Sequence, residues 1–258
     1  MFPVSRIRSR GRSKSAQYFW TPAQLPTSLW LDGADVTTVT LNGATVSQWN
    51  DKSGNSVNVS QATAANQPTY TLAALNGRNA LTFDGVNDSL GFGQSNLLRN
   101  LAGSTTFFFG RYAVTPTTTM PVIQIQSGTG GSRLLFGGGL VASKFTAHGR
   151  RLDADSLTAA GVSAQNIVPN ALVIQCVRID YSAASSAQYI NGVIDGINAT
   201  FQTAGNTSNT ASLGVSIGAG GAAPFNGLFG EIVVIPTALS TQDRQRMEGY
   251  LAWKWGGF

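Results

Sequence analysis

Hydrophobic and polar residues alternate in short runs along most of this chain, and each run is closed by a cluster of turn-forming residues. Ser28-Leu-Trp-Leu-Asp32 is followed by Gly33, Val46-Ser-Gln-Trp49 runs into Asn50-Asp-Lys-Ser-Gly54, and Ala80-Leu-Thr-Phe83 ends at Asp84-Gly85. Thr105–Phe109, Val122–Gln126, Arg133–Phe136, Lys144–Ala147, Leu172–Ile179, Ser212–Ile217 and Gly230–Ile235 continue the series. Runs of this length, rich in β-branched and aromatic residues and bounded by Gly, Asn, Asp or Ser, predict strands. Asn191-Gly192, between Gln188-Tyr-Ile190 and Val193-Ile194, predicts a two-residue hairpin, because both residues accept the positive φ of a type I′ turn. About a dozen strands without intervening helices point to an all-β sandwich or barrel.

One helix is predicted, near the C-terminus. Ser240 is a natural N-cap, with Asp243 three residues on in a capping-box-like arrangement. Met247, Tyr250, Leu251 and Lys254 then fall on one face. The first three are expected to pack on the sandwich and Lys254 to snorkel, and Gly256-Gly257 supply the stop.

Composition supports this picture. Only 11% of the 258 residues are charged, against about 25% in ordinary proteins. Small neutral residues fill the difference, as expected of short strands with uncharged polar outer faces. Arg6, Arg8, Arg10, Arg12 and Lys14 account for the net charge of +5, the remaining 12 basic residues balancing 12 acidic ones. The body is therefore neutral. Three segments are expected: a basic extended arm over 1–16, a Pro-containing connector over 17–27, and a sandwich domain over 28–258. In the arm, alternation places four guanidinium groups on one side of an extended chain, a pattern fit for docking on an acidic protein surface. A basic tail on a neutral body argues for local docking rather than for a nucleic-acid-binding fold. Cys176 is the only cysteine, so no intrachain disulfide forms, and its apolar run predicts a buried, inert thiol. No run approaches the ~20 apolar residues that cross a bilayer. The basic start has no apolar core of a secretory signal, so synthesis in the cytoplasm without export is expected.

Several segments resemble a known group. Trp49-Asn-Asp-Lys-Ser-Gly-Asn55, Gln67-Pro68, Leu75-Asn-Gly77, Leu81-Thr-Phe-Asp-Gly-Val-Asn-Asp88, Tyr189-Ile-Asn-Gly192 and Phe225–Ile235 occur in that order. The end, Ala238–Trp255, is the most specific. Together they resemble the laminin-G-like, concanavalin A-like jelly-roll domains of phage virion proteins and bacterial surface proteins, over roughly residues 28–256. The resemblance implies a jelly-roll β-sandwich. It also implies a non-enzymatic virion structural, decoration or tail-adhesion protein, oligomeric and anchored to other virion proteins by its arm. The alternatives are a glycan-binding bacterial surface module and, second, a capsid-type jelly roll whose arm binds nucleic acid. A host-surface glycan is an expected partner of the adhesion reading.

Residues with catalytic or ligand-binding potential are few. Glycoside hydrolysis needs two carboxylates flanking a sugar bond. The chain has two glutamates, Glu231 in an apolar run and Glu248 on the helix, while Asp153 and Asp155 alternate in a polar turn. Structural roles are expected for all four. Gly214-Val-Ser-Ile-Gly218 fits the nucleophile-elbow pattern, and Gly218, Gly220 and Ala223 fit a loose dinucleotide fingerprint. No helix-forming stretch follows either, so both are read as strand and loop. Asp84, Asn87 and Asp88 are candidate calcium ligands, with ordinary turn chemistry as the preferred reading. No other cofactor is expected. His148 has no second His or Cys for a transition-metal site. Trp30, Trp49, Trp253 and Trp255 are expected in the core. Tyr70, Phe92 and Tyr112 are the aromatics left available for a glycan.

Overall fold

The computed structural model describes residues 20–127, 131–210, 213–219 and 222–256. The basic arm, with Arg6, Arg8, Arg10, Arg12 and Lys14, lies outside them. In chain order the strands are β1 (Leu29–Asp32), β2 (Val39–Asn42), β3 (Thr45–Trp49), β4 (Val59–Ser60), β5 (Thr69–Leu75), β6 (Arg78–Asp84), β7 (Leu90–Ser95) and β8 (Gly103–Tyr112). They continue as β9 (Met120–Ser127), β10 (Gly131–Gly138), β11 (Lys144–Gly149), β12 (Thr158–Asn166), β13 (Leu172–Asp180), β14 (Ser185–Ile190), β15 (Val193–Asn198), β16 (Leu213–Ile217) and β17 (Asn226–Ile235). The helix α1 spans Thr241–Trp255. A single 3-10 turn, Pro22–Gln24, stands in the connector: Pro22 occupies its first position, where a proline is tolerated.

All pairings are antiparallel, and they divide into two sheets. One has the order β17–β8–β13–β14–β15, with β6 and β1 end to end along the free side of β17 and β5 beyond β6. The other runs β2–β3–β4–β7–β16–β9–β10–β11–β12. A bridge between Thr45 and Thr69 joins them. The fold is the all-β sandwich that the run pattern predicts. β2, β4, β5, β7 and β12, which the runs did not single out, complete it. β2 and β4 are short, and glycine interrupts β7 and β12, so pairing as much as pattern makes them strands.

The triple Phe107-Phe108-Phe109 shows how the layers are built. Phe108 points between the sheets, with Leu29, Leu31, Phe229, Ile232 and Val234. Phe107 and Phe109 point the other way and meet α1 through Met247, Leu251 and Trp255. A strand covered on both faces loses its alternation and reads as a continuous apolar run; β8 and β17 are both of this kind. The helix thus forms a third layer. Its cap is as predicted: Ser240 Oγ accepts the Asp243 N–H at 3.1 Å, and Gly256 closes the helix at φ +67°. The β14–β15 hairpin turns on Asn191 and Gly192, at φ +50° and +81°.

Candidate functional site

On the solvent face of the second sheet, a trough of about 470 Å³ crosses β4, β7, β16 and β9. Its floor follows one row of register partners. Ser60 pairs Gly91, Gly91 pairs Ser216 and Ser216 pairs Gln124; the row then continues through Leu135 to His148. Residues directly opposite on neighbouring strands share a face. Three glycines shape the trough: Gly91, Gly93 and Gly214. A Cβ at Gly93 would meet nothing within 4 Å, and at Gly91 or Gly214 only ordinary contacts of 3.4 Å or more. None of the three has a positive φ. Neither packing nor backbone conformation requires glycine there, and glycine inside an element costs ~0.5–1 kcal/mol relative to alanine. What the missing side chains provide is depth.

The described lining carries neutral donors and acceptors, while the half-buried Phe92 ring packs against the core between the sheets. Gln61, Ser216 and Gln126 line the trough with Phe92, and none of the described lining residues is charged. Gln124, in the same row, is buried. Its Nε2 donates to Ser132 Oγ at 2.5 Å, and its Oε1 has no hydrogen-bond partner among the described residues. At the far end of the row, burial lowers the pKa of His148 and favours the neutral ring, whose Nδ1 is also unpartnered among the described residues.

A second polar cluster lies beneath α1. Glu231, which the sequence shows as a lone acid in an apolar strand, is fully buried yet accepts four hydrogen bonds. Trp30 Nε1 (2.6 Å) and Tyr250 OH (3.0 Å) donate to one oxygen, Lys254 Nζ (2.8 Å) and Trp255 Nε1 (2.7 Å) to the other. Burial raises the Glu231 pKa, and the charge of Lys254 opposes that shift. Lys254 Nζ also lies 2.6 Å from Asp32 Oδ1. Lys52 bridges Asp32 at 2.9 Å and Asp35 at 2.7 Å and rests 4.5 Å over the Trp30 ring. Burial alone would lower the Lys52 pKa, but the charges and hydrogen bonds of Asp32 and Asp35 outweigh it and hold it above its ordinary value. Lys254 therefore does not snorkel. Its side chain is 10% exposed and its ammonium is turned inward, because two buried carboxylates wait there.

The other candidate side chains make hydrogen bonds and ion pairs within the fold. Asp84 Oδ1 accepts the N–H groups of Val86 and Asn87, and Asp88 Oδ2 accepts the Asp84 N–H at 2.9 Å. Both calcium-candidate carboxylates thus hold the β6–β7 turn, and no group of three or more His, Cys, Asp or Glu among the described residues is placed to hold a metal. Asp153 pairs with Arg133 at 3.0 Å and Asp155 with Arg151 at 3.1 Å, and Glu248 takes Arg244 at 2.5 Å. Gly214–Gly218 lies along β16 and its exit. Cys176 is buried between β13 and α1, and burial raises its thiol pKa well above the usual value.

Among the aromatics, Trp30, Trp49 and Trp255 are in the core, but Trp253 is 62% exposed on the outer side of α1, out of phase with the buried stripe. Tyr70 and Tyr112 are buried, their hydroxyls given to Gly33 O and Gln175 Oε1. Of the three aromatics available for a glycan, only Phe92 borders the trough. The signal for the trough that the sequence does carry is glycine: Gly91-Phe-Gly93 and Gly214 interrupt strands that have no need of it.

Comparison with known proteins places the fold. The chain matches no family model, and no curated protein resembles it in sequence. Solved structures do resemble it in shape. Domain 4 of an extracellular arabinanase from Geobacillus stearothermophilus, solved in complex with arabinotriose, aligns over 79% of this chain and 92% of its own, with TM-score 0.58 and 14% identity. The fold is a jelly-roll-like β-sandwich. A Trypanosoma rangeli sialidase matches over 88% of this chain and 32% of its own, with TM-score 0.55 and 14% identity. The receptor-binding domain of botulinum neurotoxin D matches over 87% and 52%, with TM-score 0.59 and 11% identity. The chain thus spans about a third of the sialidase and half of the toxin domain.

Proposed function

We propose that this protein is a non-catalytic glycan-binding β-sandwich and that the β4–β7–β16–β9 trough is its binding site. One observation carries the reading: the trough is floored by strand glycines that nothing in the fold requires and is lined by uncharged hydrogen-bonding side chains. Glycine in a strand interior marks a place where a ligand or another backbone comes close. Sugars offer hydroxyls to groups such as Gln126 and Ser216, and the missing side chains of Gly91, Gly93 and Gly214 let a ring approach the strand backbone. The described lining residues include no carboxylate, which fits binding without hydrolysis. Among the neighbours in shape, the arabinanase domain holds an arabinotriose, which supports the same reading.

The expected setting, a virion or a bacterial surface, rests on sequence resemblance alone. The fold comparisons favour glycan binding over a purely structural virion role. In either setting Arg6, Arg8, Arg10, Arg12 and Lys14 remain the proposed anchor to a partner protein.

The test is a glycan array and affinity electrophoresis in neutral polysaccharides, with Gly93→Trp and Ser216→Trp as groove-filling variants. Wild-type retention, abolished in both variants at unchanged melting temperature, is expected. Retention that survives both substitutions would move the site elsewhere, and a wild type that binds no glycan would end the proposal.

A further inference from the structure

Asp32, Glu231 and Lys254 are brought together from β1, β17 and the last turn of α1. Lys254 Nζ stands 2.6 Å from Asp32 Oδ1 and 2.8 Å from Glu231 Oε2, and the side chains of Lys254, Asp32 and Glu231 are 10%, 5% and 0% exposed. The indoles of Trp30 and Trp255 and the Tyr250 ring close around them. We propose that Lys254 and Asp32 condense to an intramolecular isopeptide bond, with Glu231 relaying the proton. The proposal is independent of the glycan reading.

The arrangement supplies what the condensation needs. In the proposed step one Lys254 proton passes to Glu231 Oε2, 2.8 Å away, and leaves a neutral amine. The ion pair, with Nζ 2.6 Å from Asp32 Oδ1, holds the amine beside the carboxyl it is to attack, so proximity replaces a bimolecular encounter. Lys52, held on Asp32 Oδ2 at 2.9 Å and closer to solvent, stays cationic and draws electron density from the carboxyl. Nζ then forms the C–N bond to Asp32 Cγ. The C–O bond to one carboxyl oxygen breaks, and that oxygen leaves as water with one proton from Nζ and one delivered through Glu231. Ammonium plus carboxylate become amide plus water, so no oxidant or co-reactant is required. After reaction the Trp30, Tyr250 and Trp255 donors still hold Glu231, which can accept the new amide N–H. The bond would tie the end of the chain to its first strand, closing a very long loop in a protein whose single cysteine allows no intrachain disulfide.

The deciding experiment is intact-mass and tandem mass spectrometry of the full chain, purified natively and then denatured. We expect a mass one water below that of the sequence, and a proteolytic species joining the Asp32 and Lys254 peptides. Asp32→Ala and Lys254→Ala should each restore the full mass, and Glu231→Gln should leave most of the chain uncondensed. A native wild type of full mass overturns the proposal, as does a water loss mapped to another pair, such as Lys52 and Asp35. The wild-type mass decides the matter by itself, so a variant that folds poorly does not blur the outcome.

Discussion

Trp255 is the most informative single side chain to perturb, because it couples the helix layer to the sheet in two separable ways. Its ring is fully buried and stacks on Phe109, with centroids 5.1 Å apart and planes 15° from parallel. Its indole N–H donates to the fully buried Glu231 at 2.7 Å. Trp255→Phe keeps most of the stack and removes only the donor. A hydrogen bond to a charged buried group contributes about 1.5–3 kcal/mol. At about 2–4 °C per kcal/mol for a domain near this size, the melting temperature should fall by roughly 3–12 °C. Trp255→Ala also removes the ring, for a further loss of about 3–5 kcal/mol, and should detach the last turn of α1. Calorimetry and urea unfolding, with far-ultraviolet circular dichroism to follow the helix, would measure both. The Glu231 cluster would be shown to contribute nothing to holding α1 if Trp255→Phe melted with the wild type. Equal losses for the two substitutions would show that the stacked ring contributes nothing.

Further outcomes follow from other groups. Hydrogen bonds from Lys52 and Thr37 lower the Asp35 pKa from 3.8 to about 2. A depressed carboxylate stabilises the fold above its unfolded pKa, so this contribution should be lost as pH falls from about 4 to about 2. Asp35→Asn should therefore narrow the gap in melting temperature between neutral and acid pH, and an unchanged gap would refute the assignment. Cys176, buried and with a raised thiol pKa, should react with a thiol reagent only at the rate of unfolding. Rapid modification of the native protein would mean that the β13–α1 interface opens. In the trough, Gly93→Ala should leave the fold as stable or slightly more so, since its Cβ enters open space. A clear loss of melting temperature would show that glycine serves the backbone there.

The one-dimensional pattern determined the fold class because burial is written into period. Leu29–Asp32, Val122–Gln126 and Leu172–Ile179 became strands, Asn191-Gly192 became the hairpin turn, and Ser240 with Asp243 capped the helix. Each of these depends on neighbours a few residues away. What local pattern could not show was partnership across the sandwich. Glu231 and Lys254 read as an isolated acid and a surface lysine; only the pairing of β1 with β17 sets Asp32 beside Glu231, and only the seating of α1 across both brings Lys254 between the two carboxylates. Trp253 and Trp255 are two residues apart, yet one faces solvent and the other the core, because the 3.6-residue turn sets their angle and only the docked helix fixes which angle is inward. The trough is likewise tertiary. Gly91, Gly93 and Gly214 are isolated glycines in the sequence until β7, β16 and β9 lie side by side and their missing side chains add up to a single depression.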